Sequence, residues 1–387
     1  KANIDGFLME KHEEISYNTR MLPDFLHPAP PEQERTEKEI SRFDRLAFAE
    51  EWPGEPVPNQ FFENQGIIKP NGRLLKANGI TLQTGVERRY IAEPHITSLD
   101  LAMGAIKKLS HPYDAQWLIV AYSHPTGVHH ANTIKEGLGL YLPEDMTFDI
   151  NGACSGGPYA LTKMKDNEAL FWHKTGILGF GETYQKHVEN MSMNGIKHDA
   201  SLAQTLFTDG GFALQGTYGK DFTVMHYKNQ PFSELGYAIC MPVDRARMVP
   251  PFYAPVDIPY PQSGTFEQDG PAVVNAVKDH VAPLVATTIE EYGLSNRDIV
   301  EIFPHQGSKP IYDAFIQGLP DAYKGLVHPD YADGNFSSGS TFKGLMKSIK
   351  AGRVKAGDTV VLAGFGAGMY ASIVILKLGY QFDKAAA

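Results

Sequence analysis

Asp149-Ile150-Asn151-Gly152-Ala153-Cys154-Ser155-Gly156-Gly157-Pro158-Tyr159-Ala160-Leu161 sets a cysteine between two kinds of periodicity. The apolar-leaning run from Met146 to Ile150 predicts a strand, and helical spacing then carries Tyr159, Leu161 and Met164 inward. Unpaired amides and the helix dipole at such a corner favour a thiolate, the nucleophilic form of cysteine. Gly152, Gly156 and Gly157 would let a substrate come close to the backbone. A lone cysteine in a long chain is more often a small buried hydrophobe. Its place at the corner makes Cys154 a candidate nucleophile, to be judged by what accompanies it.

The 387 residues suffice for two domains or one large α/β body. Cys154 and Cys240 are the only cysteines, too few for a disulfide framework, which points to a reducing, cytoplasmic setting. No secretory signal or apolar run long enough to span a bilayer is evident. The net charge of −10, from 35 Lys+Arg against 45 Asp+Glu, argues against general nucleic-acid binding, which needs a basic surface. The chain opens on Lys1, so a preceding segment is expected, and Lys384-Ala385-Ala386-Ala387 reads as a vector-derived tail.

The regular part of the sequence begins near residue 80. Ser98 to Leu109 and Thr133 to Leu140 have helical spacing, while Trp117-Leu118-Ile119-Val120-Ala121 and Gly176-Ile177-Leu178-Gly179-Phe180 are continuous apolar strands, the mark of a sheet covered on both faces. The second half repeats the alternation. A long helix is predicted from Ala272 to Tyr292, a strand over Ile299–Phe303 ending at Pro304-His305-Gln306, and a helix from Thr341 to Ile349. Strands at Thr359–Ala363 and Ala371–Leu376 follow, joined across Phe365-Gly366-Ala367-Gly368. Alternating strands and helices predict sheets with helices on their faces. Before residue 75, Glu32 to Glu39 reads as a solvated helix face and Trp52 to Pro58 as loop, so this part is expected to be a surface elaboration.

Four separated stretches, in order, resemble the motifs of the β-ketoacyl-acyl carrier protein synthase III family. They are Asp149 to Gly156 (nucleophile), Phe303-Pro304-His305-Gln306 (histidine), Asp333-Gly334-Asn335-Phe336-Ser337-Ser338-Gly339-Ser340 (asparagine) and Gly364-Phe365-Gly366-Ala367-Gly368 (closing turn). Gln83 to Ala92 and Leu206 to Gly211 agree as well, and the resemblance covers about residues 78–380. It implies the thiolase fold: α/β, five layers αβαβα, two similar halves. The halves would occupy 76–224, with the cysteine, and 225–387, with the histidine and asparagine, leaving 1–75 as an N-terminal elaboration packed on the body.

The resemblance also implies roles. Cys154 would take the first acyl group, its thiolate favoured by the helix start and by nearby His305. His305 and Asn335 would hydrogen-bond the carbonyl of a malonyl-type thioester as carbon dioxide leaves. The backbone N–H groups of Cys154 and Ala367 would form the oxyanion hole. No metal or redox cofactor is implied; His124, His129 and His130 lack a convincing acidic partner or fourth ligand for a metal site. Implied partners are acyl carrier protein or acyl-coenzyme A thioesters and a second copy in a homodimer. Alternatives are an acyltransferase passing its acyl group to a hydroxyl or amine, and a non-catalytic partner subunit. Departures from the family pattern are Gly79 and Gln83, where priming members place a tryptophan and an arginine against coenzyme A, and Gly307-Ser308 after the histidine motif. Pro310, beside Lys309, stands where an arginine near carrier docking is usual. These departures favour a specialised member fed by a carrier protein, with Lys309 as a basic docking patch.

Overall fold

The computed structural model describes residues 46–68, 72–123, 128–184, 205–240, 252–253 and 267–379. Its first sheet contains β1 (Ala47–Glu51), β2 (Leu118–Tyr122), β3 (Thr147–Asn151), β4 (Thr175–Glu182) and β5 (Gly210–Thr217). Their order is β1-β5-β4-β2-β3, with Phe252–Tyr253 added in parallel beyond β3. The second sheet contains β6 (Phe222–Pro231), β7 (Glu301–Pro304), β8 (Thr359–Gly366) and β9 (Tyr370–Leu378), in the order β6-β9-β8-β7. Pairing in the series β1-β5-β4-β2 runs antiparallel, antiparallel, parallel, and the series β6-β9-β8-β7 repeats it. The two halves are therefore alike in topology as well as in the order of their elements.

Side-chain alternation divides the strands between layers. In β2, Leu118 and Val120 join an outer core with Ala102, Ala105 and Ile106 of helix Ser98–Lys107, whereas Ile119 and Ala121 face inward. In β8, Val361 and Ala363 face outward to the helical segment 270–291 and Phe315 of the helix Lys309–Gly318. Val360 and Leu362 face inward. The inward cluster spans both sheets and takes in Tyr159 and Met164 of helix Gly156–Asp166 with Phe342 and Met346 of helix Ser340–Lys350. Outer helices, sheet, central helices, sheet and outer helices make five layers.

Three expectations need correction. The first half does not begin at residue 76. β1 pairs antiparallel with β5 along Ala47–Glu51, and Trp52 stacks on Tyr90 with centroids 4.5 Å apart. Its polar end, Glu50-Glu51, concealed the strand; Glu51 meets Lys108 at 2.6 Å. Residues 57–58, read as loop, pair with Arg88–Arg89. The long helix is interrupted: Gly270–Ala276 and Ala282–Glu291 are α-helical, but Val277–Val281 widens to a π turn. Pro283 has no N–H to offer the Asp279 carbonyl, which accounts for the widened turn before it. The charge run Glu32–Glu39 and the terminal Lys384–Ala387 lie outside the described residues.

Candidate active site

Cys154 sits in a single turn, Ala153–Ser155, between β3 and helix Gly156–Asp166. Ala153 holds φ 44°, an uncommon conformation for a residue with a Cβ and one associated with functional corners. The fit is close: a Cβ on Gly152 would stand 2.7 Å from Gly156 Cα, and one on Gly157 2.6 Å from the Ser338 carbonyl. The other half repeats this corner. Ser337, at φ 41°, opens the turn Ser337–Gly339 before helix Ser340–Lys350. The two corners face each other, and Cys154 Sγ lies 3.4 Å from Ser337 Oγ.

His305 follows β7 and donates its backbone N–H to the Ala363 carbonyl of β8 at 2.8 Å. Its ring packs edge-on to Phe365. Asn335 is held by backbone bonds to Leu206 and Thr208, and its Oδ1 accepts the Ser337 N–H at 2.8 Å. That bond fixes the amide, so Nδ2 is the end directed into the cavity. A Cβ placed on Gly307 would lie 3.2 Å from Asn335 Nδ2 and 3.3 Å from His305 Nε2, so both nitrogens lie beside Gly307 at the cavity wall. Cys154, His305, Asn335 and Ala367 all line one cavity, whose walls include Phe207, Ile311 and Met369. The loop expected at 365–368 is shorter than the sequence suggests. β8 runs to Gly366 and β9 starts at Tyr370, so Ala367 lies in a tight turn with Gly368 at φ 84°.

The expected thiolate is not the resting form. Burial pushes the Cys154 thiol up to about 12, and the buried Glu182 carboxylate adds to the rise. The Ser337 hydrogen bond and the residue's own amide pull the other way without prevailing. Burial lowers His305 to about 3, so its imidazole is neutral at physiological pH and supplies no cationic partner for the sulfur.

A further set of polar groups reaches the cysteine from behind. Ser337 Oγ lies 2.7 Å from Ser123 Oγ and 2.8 Å from the Tyr184 hydroxyl. Ser123 donates to Glu182 Oε1 at 2.9 Å; Ser338 donates to the same oxygen from its hydroxyl at 2.5 Å and from its amide at 3.2 Å. Glu182 ends β4, Ser123 follows β2 and Tyr184 comes two residues after Glu182. Nothing in their spacing announced them, because only the parallel register of β2 and β4 brings them together.

Other candidates resolve differently. His129 Nδ1 accepts the Asn132 N–H at 3.2 Å, capping its helix, and lies 3.3 Å from Asp149 Oδ1. Asp149 accepts the amides of His130 and Ala131 and the Tyr122 hydroxyl, which anchors helix His130–Leu138 to β3. His124 lies outside the described residues, as does the side chain of Cys240. Lys309 lies on the surface, where its ammonium meets Asp313 at 2.5 Å. A Cβ on Gly79 would meet nothing closer than 4.0 Å, leaving an open surface where an aromatic side chain is usual.

Two like halves with a cysteine, a histidine and an asparagine brought to one central cavity define a thiolase-fold enzyme. The comparisons agree. Residues 289–378 match the model of the 3-oxoacyl-[acyl-carrier-protein] synthase III C-terminal family. The β-ketoacyl-[acyl-carrier-protein] synthase III of Brucella anthropi is 24% identical over 84% of this chain and 97% of its own. An acetoacetyl-CoA synthase of Streptomyces sp. strain CL190 is 25% identical over 84% of this chain and 96% of its own. Among solved structures, the synthase III of Thermus thermophilus superposes with a TM-score of 0.68 at 22% identity, covering 86% of this chain and 98% of the other. The priming β-ketosynthase of the R1128 polyketide pathway gives 0.65 at 22% identity, covering 87% and 97%. The chain therefore shares the fold of these enzymes, is similar to synthase III proteins over most of its length, and matches their C-terminal family model over residues 289–378.

Proposed function

We propose that the protein is a decarboxylative Claisen-condensing enzyme of fatty-acid or polyketide-type assembly. The observation that carries this reading is that His305 and Asn335, whose Nε2 and Nδ2 both lie beside Gly307, line the same cavity as Cys154. Two neutral donors on one cavity suit an oxygen that gains negative charge as the reaction proceeds. A neutral imidazole in its Nε2–H form supplies such a bond without the cost of a buried cation.

In the first step the Cys154 sulfur attacks the carbonyl of an acyl thioester, and the donor thiol departs. The backbone N–H groups of Cys154 and Ala367 hold the carbonyl oxygen as it becomes an oxyanion. In the second step a malonyl-type thioester sets its carbonyl oxygen between His305 and Asn335. Its carboxylate leaves as carbon dioxide, and the electrons of the broken carbon–carbon bond pass into the enolate. The enolate carbon attacks the acyl group, forming the new carbon–carbon bond and releasing Cys154 as a thiolate. Acyl groups arrive as carrier-protein or coenzyme A thioesters, and the working form is a cytoplasmic homodimer. Among the described residues no helix is long and apolar enough to cross a membrane.

The test is a panel of acyl thioesters offered together with malonyl thioesters, alcohols and amines, with products identified by mass. A β-ketoacyl thioester formed with one equivalent of carbon dioxide supports the reading. Ester or amide products without carbon dioxide overturn it in favour of simple acyl transfer.

A further inference from the structure

The hydroxyl hydrogens behind Cys154 can be assigned by counting. Glu182 Oε1, as a carboxylate oxygen, only accepts, so Ser123 spends its one hydroxyl hydrogen on it at 2.9 Å. In the 2.7 Å contact between Ser123 and Ser337 the hydrogen must then come from Ser337. Ser337 has now spent its own, so the Cys154 thiol at 3.4 Å and the Tyr184 hydroxyl at 2.8 Å both donate to it. Every hydrogen from Cys154 onward points the same way, ending on a carboxylate that is 1% exposed.

We infer that Cys154, Ser337, Ser123 and Glu182 form a proton relay in which Glu182 takes the thiol proton as the sulfur attacks. This rests on the proposed role of Cys154 as the acylated nucleophile. The bookkeeping of protons closes. The Cys154 S–H bond breaks and its proton passes to Ser337 Oγ, whose own proton moves to Ser123, whose own moves to Glu182 Oε1. The departing donor thiolate takes a proton from solvent. When condensation later releases Cys154 as a thiolate, the chain runs backward and restores both thiol and carboxylate. Over a full cycle one solvent proton is consumed, as the condensation requires. Burial supports the assignment on both ends: it keeps the thiol protonated until attack and raises Glu182 to about 7, suited to taking and returning a proton near neutrality. The titratable groups around Glu182, Cys154 and Tyr184, are themselves held neutral by burial, Tyr184 well above its ordinary value.

The test uses the full chain with Glu182→Gln and Ser123→Ala, each checked for a native melting transition. The second variant leaves the carboxylate in place, so the relay can be judged even if the first does not fold. Alkylation of Cys154 by iodoacetamide is followed from pH 5 to 10, beside single-turnover acylation by an acyl-coenzyme A. The wild-type alkylation rate should rise through a limb near pH 7, as Glu182 becomes able to accept, and then level off. Both variants should lose that limb and react at least about a hundredfold more slowly at pH 7.5, the lower range of positioned proton transfer. Their deficit should shrink as pH rises and hydroxide removes the proton instead. A wild-type limb and rate retained in a folded Ser123→Ala variant would overturn the relay. Iodoacetamide needs no acyl donor, so a wild-type protein that alkylates as described yet accepts no acyl group would count against the proposed function and leave the relay supported.

Discussion

Gly366 and Cys154 are in direct backing contact: a Cβ on Gly366 would stand 2.8 Å from Cys154 Cβ and 3.4 Å from its sulfur. The closing turn between β8 and β9 thus sets the position of the nucleophile in the other half of the molecule. Gly366→Ala must displace Cys154 from its turn. Acylation of Cys154 should fall by about a hundredfold, as misplacing a reacting atom by an ångström does, and the overpacking should cost roughly 1–3 kcal/mol of stability. Stopped-flow acylation beside circular dichroism checks this; an unchanged rate would mean that the contact does not position the sulfur.

Asn335→Asp separates the two polar ends of one side chain. The new carboxylate keeps the bond from the Ser337 amide that now goes to Oδ1. It removes the Nδ2 donor and puts negative charge where the enolate forms. Condensation should fall by at least about a hundredfold, the loss typical of one oxyanion donor, with acylation of Cys154 retained. Product formation and acyl-enzyme yield, measured on the same preparation, give the two numbers.

Two buried histidines make the fold acid-sensitive. His305 is lowered to about 3 and His130 to about 4, both chiefly by burial. Between these values and about 6.5 the unfolded chain binds protons that the folded one does not. Their contribution is therefore complete above pH 6.5 and is lost as pH falls toward 4. Glu182, raised to about 7, acts in the opposite sense over the upper part of that range. Melting temperature should drop between pH 6.5 and 4.5, and His305→Gln should make the drop shallower. Calorimetry in matched buffers decides it; an equal slope in the variant would remove His305 from the account.

Helix Ser98–Lys107 lies so close to its sheet that glycine is required beneath it. A Cβ on Gly211 would stand 1.9 Å from the Leu101 carbonyl. Gly211→Ala should cost roughly 1–3 kcal/mol or more, as overpacking does, seen as a lower midpoint in urea with an unchanged slope. A midpoint equal to wild type would show that the helix can shift freely.

Much of this molecule was legible from periodicity. The buried strands β2, β4 and β8 are continuous apolar runs, and the helices after Cys154 and Ser340 carry clear inward faces. What escaped reading did so for physical reasons. β1 is short and ends in Glu50-Glu51, so its apolar half gave too little pattern. The π turn depends on Pro283 within a helix whose spacing is otherwise regular. Glu182, Ser123 and Ser337 are ordinary polar residues until strand register gathers them behind Cys154. The thiol's resting protonation also could not be read, since it depends on complete burial rather than on the helix start alone.

The most direct test of the central claim is intact-protein mass spectrometry of the acylated enzyme before and after addition of a malonyl thioester. Wild type should gain one acyl mass on the Cys154 peptide and lose it within a turnover as β-ketoacyl product and carbon dioxide appear. His305→Ala and Asn335→Ala should gain the same mass and keep it, and Cys154→Ala should gain none. Acyl mass that persists in Cys154→Ala, or is discharged at wild-type rate by both other variants, would contradict the assignment of the cysteine as acyl carrier and of the histidine–asparagine pair as the enolate site.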